Sequence, residues 1–321
     1  MRRYCAAGCV LLGLLLPDLG AEAQWAPGQL VRIVVPFPAG GPGDVLARLL
    51  ADQISETTRQ KLLVEPRPGG GSVIATEAVA RAPPDGGTLL LVANSFLINA
   101  SLKASLPYDP LSSFAPICLL AHTPLVLVVN SGSDYHSLDE FVVAGREAGG
   151  RISVGGTGPS TTQHVAIEAL KLATGADMTF VPFSGDPAAI NSLLGGHITA
   201  ALANYTSVRG HLGGALRALA VGSQTRLAEL PDVPTFVESG FKEIDAVAWM
   251  GMVLPAKTPD HQTAAIASHF RLALDSEQIK AKLKTIGLAP AGICGPEFGM
   301  YLREQYQRTI RIVRATKMNA E

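Results

Sequence analysis

Short runs of aliphatic and β-branched residues alternate along the chain with stretches of helical period. That order predicts parallel sheets covered by helices, an α/β fold. In the first third, Val31 to Phe37, Leu62 to Glu65 and Thr88 to Ala93 read as strands. After the first of them, Val45, Leu46, Leu49, Leu50 and Ile54 fall on one face of a helix. The middle repeats the theme, with strands expected at Ile152 to Val154, Met178 to Phe183, Ile198 to Ala203 and Leu216 to Val221, and helices from Thr161 to Ala173 and from Pro187 to Leu194. Gly175 and Gly195 stand where helix C-caps belong. Two longer apolar runs break the rhythm. Ile117 to Asn130 predicts one extended crossing between two bodies, and Ala246 to Leu254 the return crossing. The tail from Glu277 to Ala315 is helical in pattern, interrupted from Gly287 to Pro296.

Length and charge narrow this picture. At 321 residues the chain exceeds the size a single core usually serves, so two lobes are expected. Arg2 and Arg3 precede an apolar run from Cys5 to Leu16 and then Ala21-Glu22-Ala23, the layout of a secretory signal peptide over residues 1–23 that is cut near Gln24. The run is shorter than the roughly 20 residues a helix needs to cross a bilayer. The expected product is therefore a periplasmic protein, and a monomer. A net charge of −1 with no basic stripe gives nucleic acid nothing to hold. Cys118 and Cys294 are the thiols left after cleavage; a bridge and two buried thiols both remain open, because sequence does not supply the Cα separation. The seven His show no paired spacing, so neither a metal nor a cofactor is expected.

Two loops carry the candidate chemistry. Pro36-Phe37-Pro38-Ala39-Gly40-Gly41-Pro42-Gly43-Asp44 ends the first strand and opens the first helix, and Gly155-Gly156-Thr157-Gly158-Pro159-Ser160-Thr161-Thr162-Gln163-His164 has the same logic in the middle of the chain. Glycine lets the backbone approach a ligand, and the first amides of a helix point outward with partial positive charge, so each loop can seat an anion. Neither loop contains Lys, which sets both apart from nucleotide-hydrolase phosphate loops. Read blandly, Thr157 or Ser160 merely caps a helix.

The segments PFPAGGPGD at 36–44, EPRPGGGS at 65–72, APPDGGTLL at 82–90, LPYDP at 106–110, GGTGPSTTQH at 155–164, VPFSG at 181–185, LLGG at 193–196, LRALAV at 216–221 and LPDVPT at 230–235 resemble those of the Bug family. These are the periplasmic solute-binding proteins of tripartite tricarboxylate transporters. The resemblance covers nearly the whole chain after the signal. It implies a two-lobed periplasmic binding protein fold, type II-like, with a ligand cleft between lobes joined by crossing strands. Residues 24–125 with 250–321 would form the first lobe and 126–249 the second. It also implies a small carboxylate held by backbone amides and ordered water, with the membrane components of such a transporter as partners. Carried over, it implicates Phe37, Ala39, Gly40, Gly41 and Asp44 from one jaw, Gly156, Gly158, Ser160 and His164 from the other, and Gly185 from a third loop. Ser95 and Trp249 are further candidates near strand ends.

Departures from the family pattern bear on the ligand. Ser72 and Ala75 stand where glycine is frequent, and Gly87 where tyrosine is; these are expected to touch packing alone. Asn204 replaces a commonly acidic residue and is a candidate for altering ligand choice, as is Asp186, although Asp-Pro at 186–187 also reads as an ordinary N-cap and first helical residue. Two other functions compete with transport. A sensor delivering the bound carboxylate to a receptor kinase would share the fold. A serine hydrolase using Ser160 and His164 would lack the Gly-x-Ser-x-Gly elbow, since Thr162 stands at its last position, and no acidic residue is identifiable to orient His164. No catalytic residue is expected.

Overall fold

The computed structural model describes Trp25, residues 29–103, 105–147, 152–159, 161–244 and 246–316, and Met318. The expected signal segment, its cleavage point at Gln24, and Ser160 lie outside the described residues.

The first half opens with β1 (Val31–Val35), α1 (Pro42–Thr58), β2 (Leu62–Pro66), α2 (Val73–Ala80), β3 (Thr88–Ala93) and α3 (Asn94–Leu102). A long strand, β4 (Phe114–Asn130), leads into α4 (Leu138–Glu147), β5 (Ile152–Thr157), α5 (Thr162–Thr174), β6 (Met178–Phe183), α6 (Asp186–Leu194), β7 (Ala200–Asn204), α7 (Tyr205–Val208) and β8 (Leu216–Val221). The chain closes with β9 (Val247–Pro255), α8 (Asp260–Asp275), α9 (Glu277–Thr285), β10 (Ala289–Cys294) and α10 (Pro296–Thr316).

Both predicted crossings are strands, and they organise the molecule. Residues Phe114 to Pro124 of β4 pair antiparallel with β9, and residues Leu125 to Asn130 pair with β7 and β8. On the first side β1 lies between β2 and β3, all parallel; on the second β5 lies between β6 and β7, again all parallel. Parallel pairing was expected throughout and holds within each triplet, but the strands next to β4 are antiparallel, so each sheet is mixed. That follows from connectivity, since β4 and β9 run in opposite directions between the two halves.

Each half buries its own aliphatic layer. Val31, Ile33, Leu46, Leu50 and Ile54 pack with Phe270 and Leu283 in the first; Leu125, Leu127, Ile152, Val154, Ile167 and Leu202 pack together in the second. The C-terminal helix belongs to both, because Phe298 and Leu302 of α10 sit with Trp249 and Val92 while Ile312 sits in the second core. The interruption expected at Gly287 to Pro296 contains a strand, β10, which the Pro and Gly content of Ala289–Cys294 conceals. It pairs antiparallel with β4 in a register that sets Cys294 opposite Cys118, and the two form a disulfide with Cα atoms 4.0 Å apart. The choice left open by sequence is thereby made in favour of the bridge.

Candidate functional site

In a parallel sheet, ligands sit beyond the carboxyl ends of the strands, where helix N-termini gather. Here those ends belong to β1, β2 and β3 on one side and to β5, β6 and β7 on the other.

The first loop is braced by its own carboxylate. Gly41 is the N-cap of α1, with Pro42 at the first helical position and Asp44 in the first turn. Asp44 is 3% exposed, and its Oδ2 accepts from the Gly40 amide at 3.0 Å and from Arg48 Nε at 2.9 Å. The Arg48 hydrogen bond, opposed by burial and assisted by the Gly40 amide, holds this carboxyl below the ordinary aspartate range. Gly40 takes a left-handed φ of 79°, which any side chain resists, and a Cβ there would meet nothing within 4 Å. The Gly41 amide donates to Pro38 O at 3.3 Å. Two amides expected to grip a ligand are thus engaged inside the loop. Those of Gly43 and Asp44, in the first turn, have no carbonyl one turn back within the helix and are the donors the geometry leaves over. Ala39 is exposed at the tip, and the Phe37 ring packs over Gly43 and the first core.

The second loop is built by packing. Gly156 is buried in β5, where a Cβ would lie 2.8 Å from Gln163 Cβ and 2.9 Å from the Phe180 ring. This glycine lets α5 start against the sheet. Thr161, not Thr157, caps α5, and its Oγ1 accepts from the His164 amide at 3.4 Å. The Gly158 amide donates to Phe183 O at 3.1 Å, with φ at 42°. His164 lies on the first turn, its ring stacked 4.3 Å from that of Phe180.

At the third loop, Gly185 is the N-cap of α6 and Asp186 the first helical residue, so the expected capping by Asp186 shifts by one position. The Asp186 side chain turns instead toward three neighbouring elements. Its Oδ1 accepts from Gln163 Nε2 at 3.3 Å; its Oδ2 accepts from the Asn204 amide at 3.0 Å, Asn204 Nδ2 at 2.7 Å and Ser207 Oγ at 2.9 Å. A carboxylate that is 5% exposed is thereby satisfied entirely by neutral donors. Asn204, itself half-buried, belongs to this network.

Just past the end of β3, Asn94 ties α3 to the adjacent strand β9: its Nδ2 donates to Val247 O at 3.0 Å and its Oδ1 accepts from the Trp249 amide at 2.8 Å. Sequence reasoning chose Ser95 and passed over Asn94, although an Asn at the end of a strand and the start of a helix was the available signal. Ser95 Oγ lies 3.1 Å from Ser72 Oγ. Ser72 has φ 85°, which explains why glycine is frequent there in the family it resembles, and its hydroxyl does more than pack. Asn94, Ile98, Thr162, Val165, Trp249 and Arg308 line a cavity of about 30 Å³ between α3, α5 and α10, room for about two waters. Among the described residues no three of His, Cys, Asp and Glu cluster as metal ligands would, and no helix is long and apolar enough to cross a membrane.

A family model described as "Tripartite tricarboxylate transporter family receptor" matches residues 46–318. The Bordetella pertussis protein BugT is 31% identical over 95% of this chain and 96% of its own length. A Rhodopseudomonas palustris protein solved with adipate superposes with a TM-score of 0.77 at 26% identity, covering 91% of this chain and 99% of that one. MatC from Rhodopseudomonas palustris, solved with bound malate, superposes at 0.73 with 27% identity over 90% of this chain and 100% of that one.

Proposed function

The chain belongs to the tripartite tricarboxylate transporter receptor (TctC) family, whose members are binding proteins and not enzymes, and from that premise we propose that it captures a small carboxylate in the periplasm for the membrane components of such a transporter. On this reading residues 1–23 direct export and are removed near Gln24. Residues 24–125 with 250–321 make one lobe and 126–249 the other.

The observation that carries the proposal is the placing of two glycine-bearing strand-to-helix loops at the carboxyl ends of two parallel triplets, one on each side of β4. The donors would be the first-turn amides of α1 and α5, at Gly43, Asp44, Thr162 and Gln163. Phe37, Ala39, Gly40, Gly41, Gly156, Gly158 and His164 would shape the segments that present them, with Gly185 at the start of α6 as a third contact; Ser160 stays a candidate from sequence alone. A carboxylate gains about 1.5–3 kcal/mol from each charge-assisted hydrogen bond, and each helix N-terminus adds about 0.3–1 kcal/mol. After the costs of association and closure, micromolar affinity, about −8 kcal/mol, is reachable without a basic side chain. Adipate and malate in two relatives fit such a seat, since both offer a carboxylate.

Thermal shift against a panel of mono-, di- and tricarboxylates tests the reading. A ligand at about 100 times its Kd stabilises by about 2.7 kcal/mol. A panel in which no carboxylate raises the melting temperature would refute it. Conversion of a bound ligand into product would refute the receptor role.

A further inference from the structure

We infer that the cleft reads a hydroxyl group on its ligand through Thr123 and Asn204, which makes hydroxycarboxylates the preferred class. This rests on the carboxylate-receptor reading and narrows it.

The amide of Asn204 is oriented by its neighbour. Asp186 Oδ2 is an acceptor, so the nitrogen of the Asn204 side chain faces it at 2.7 Å and Oδ1 must face away. That Oδ1 is sealed from solvent and accepts no hydrogen bond. Thr123, on β4 and 7% exposed, has a hydroxyl in the same condition. Buried polar atoms are seldom left unpaired, and two in one place call for a shared partner.

Register brings the two together. Asn204 lies opposite Leu125, and Thr123 lies opposite Ala248 in a stretch of β4 free of bulges from Ala121 to Pro124. Residues two apart on a strand share a face, so Thr123 and Asn204 are diagonal neighbours with Cβ atoms roughly 7 Å apart. One small group can touch both. On this face Leu125 and Leu202 pack with Ile98 and Val165, which also line the cavity between the halves.

The chemistry of the pair selects the group. Thr123 Oγ1 can donate, and Asn204 Oδ1 can only accept. A hydroxyl meets both demands at once, accepting a hydrogen bond from Thr123 Oγ1 and donating one to Asn204 Oδ1. An ammonium brings three donors to an uncharged amide oxygen, and the oxygens of Asp186 are already held by Gln163, Asn204 and Ser207. A methylene or a ketone leaves Asn204 Oδ1 unpaired.

The test is titration calorimetry with acids that differ by one hydroxyl: malate against succinate, lactate against propionate, citrate against tricarballylate, with aspartate and alanine as the amino counterparts. Each is measured on the parent, Thr123→Val and Thr123→Ser. The hydroxy acid of a bound pair should bind at least about tenfold more tightly than its deoxy partner. Thr123→Val removes a hydroxyl with no protein partner, so it should melt no lower than the parent. It should also erase most of the preference while leaving the deoxy acid's affinity unchanged, and Thr123→Ser should keep the preference. Equal affinities within a bound pair, tighter binding of the amino acid, or a preference that survives Thr123→Val would each overturn the inference and leave the receptor reading standing. Binding of no acid in the set would also overturn the inference, and the receptor reading falls with it only where the wider carboxylate panel fails too.

Discussion

Around Asp44 a buried carboxylate faces a cation; around Asp186 a carboxylate of similar burial faces none. Asp44 shares its charge with Arg48, which is half exposed, and closes a single loop onto itself through Gly40. Asp186 spreads its charge over four neutral donors drawn from α5, the β7–α7 junction and α7. In the first loop charge is neutralised locally. In the second it orients the dipoles of a whole cluster, and the direction of Asn204 Oδ1 is one result. The two glycine loops differ in the same sense: Gly40 is required by its own backbone angle, Gly156 by what packs against it.

Removing each carboxylate in turn should expose this contrast. Asp186→Ala strands four donors in the interior and should cost about 3 kcal/mol or more in urea unfolding. Comparable loss in Asp44→Ala would mean that the two sites are not different in kind.

The glycines sharpen it further. Gly156→Ala drives a methyl group into Gln163 and Phe180, so the start of α5 must shift, at about 1–3 kcal/mol and with weaker ligand binding. Gly40→Ala meets only the left-handed backbone penalty of about 1–2 kcal/mol, because no atom lies near its Cβ. Denaturation curves and calorimetry on the pair separate steric from conformational cost. Equal loss of affinity would contradict the separation.

The smallest effect is a dependence on pH. Asp44 has a folded pKa below its ordinary value of 3.8, so it binds protons less readily folded than unfolded. Its contribution is therefore full above that value and disappears as pH falls through the depressed one. Asp44→Asn should be less stable than the parent by about 1 kcal/mol at neutral pH, and the two curves should converge in acid. Parallel curves across the whole range would show that Asp44 braces the loop without its charge.

The strand pattern, the crossings and both loops were legible because each is written locally: in alternation, in run length, in glycine beside a helix start. Three things were not. β10 is a short strand of Ala, Pro, Gly, Ile and Cys whose assignment depends on a partner far away in β4. Asp186 read from sequence as an N-cap or a determinant of ligand choice; its network stayed hidden because three of its four donors belong to Asn204 and Ser207, 18 and 21 positions further along. Thr123 gave no signal at all, since a threonine in an apolar strand is unremarkable until its hydroxyl is seen to have nothing to bond.

The disulfide also sets an order in time. Cys118 and Cys294 are 176 positions apart, and the second half of the molecule lies between them. On the proposed export from the amino end, Cys118 would reach the oxidising side well before Cys294 and stay a thiol until β10 followed. The bond would then form only after nearly the whole chain had crossed. Material made in a reducing cytosol would carry two thiols at that position, with β10 and α10 held to β4 by packing alone.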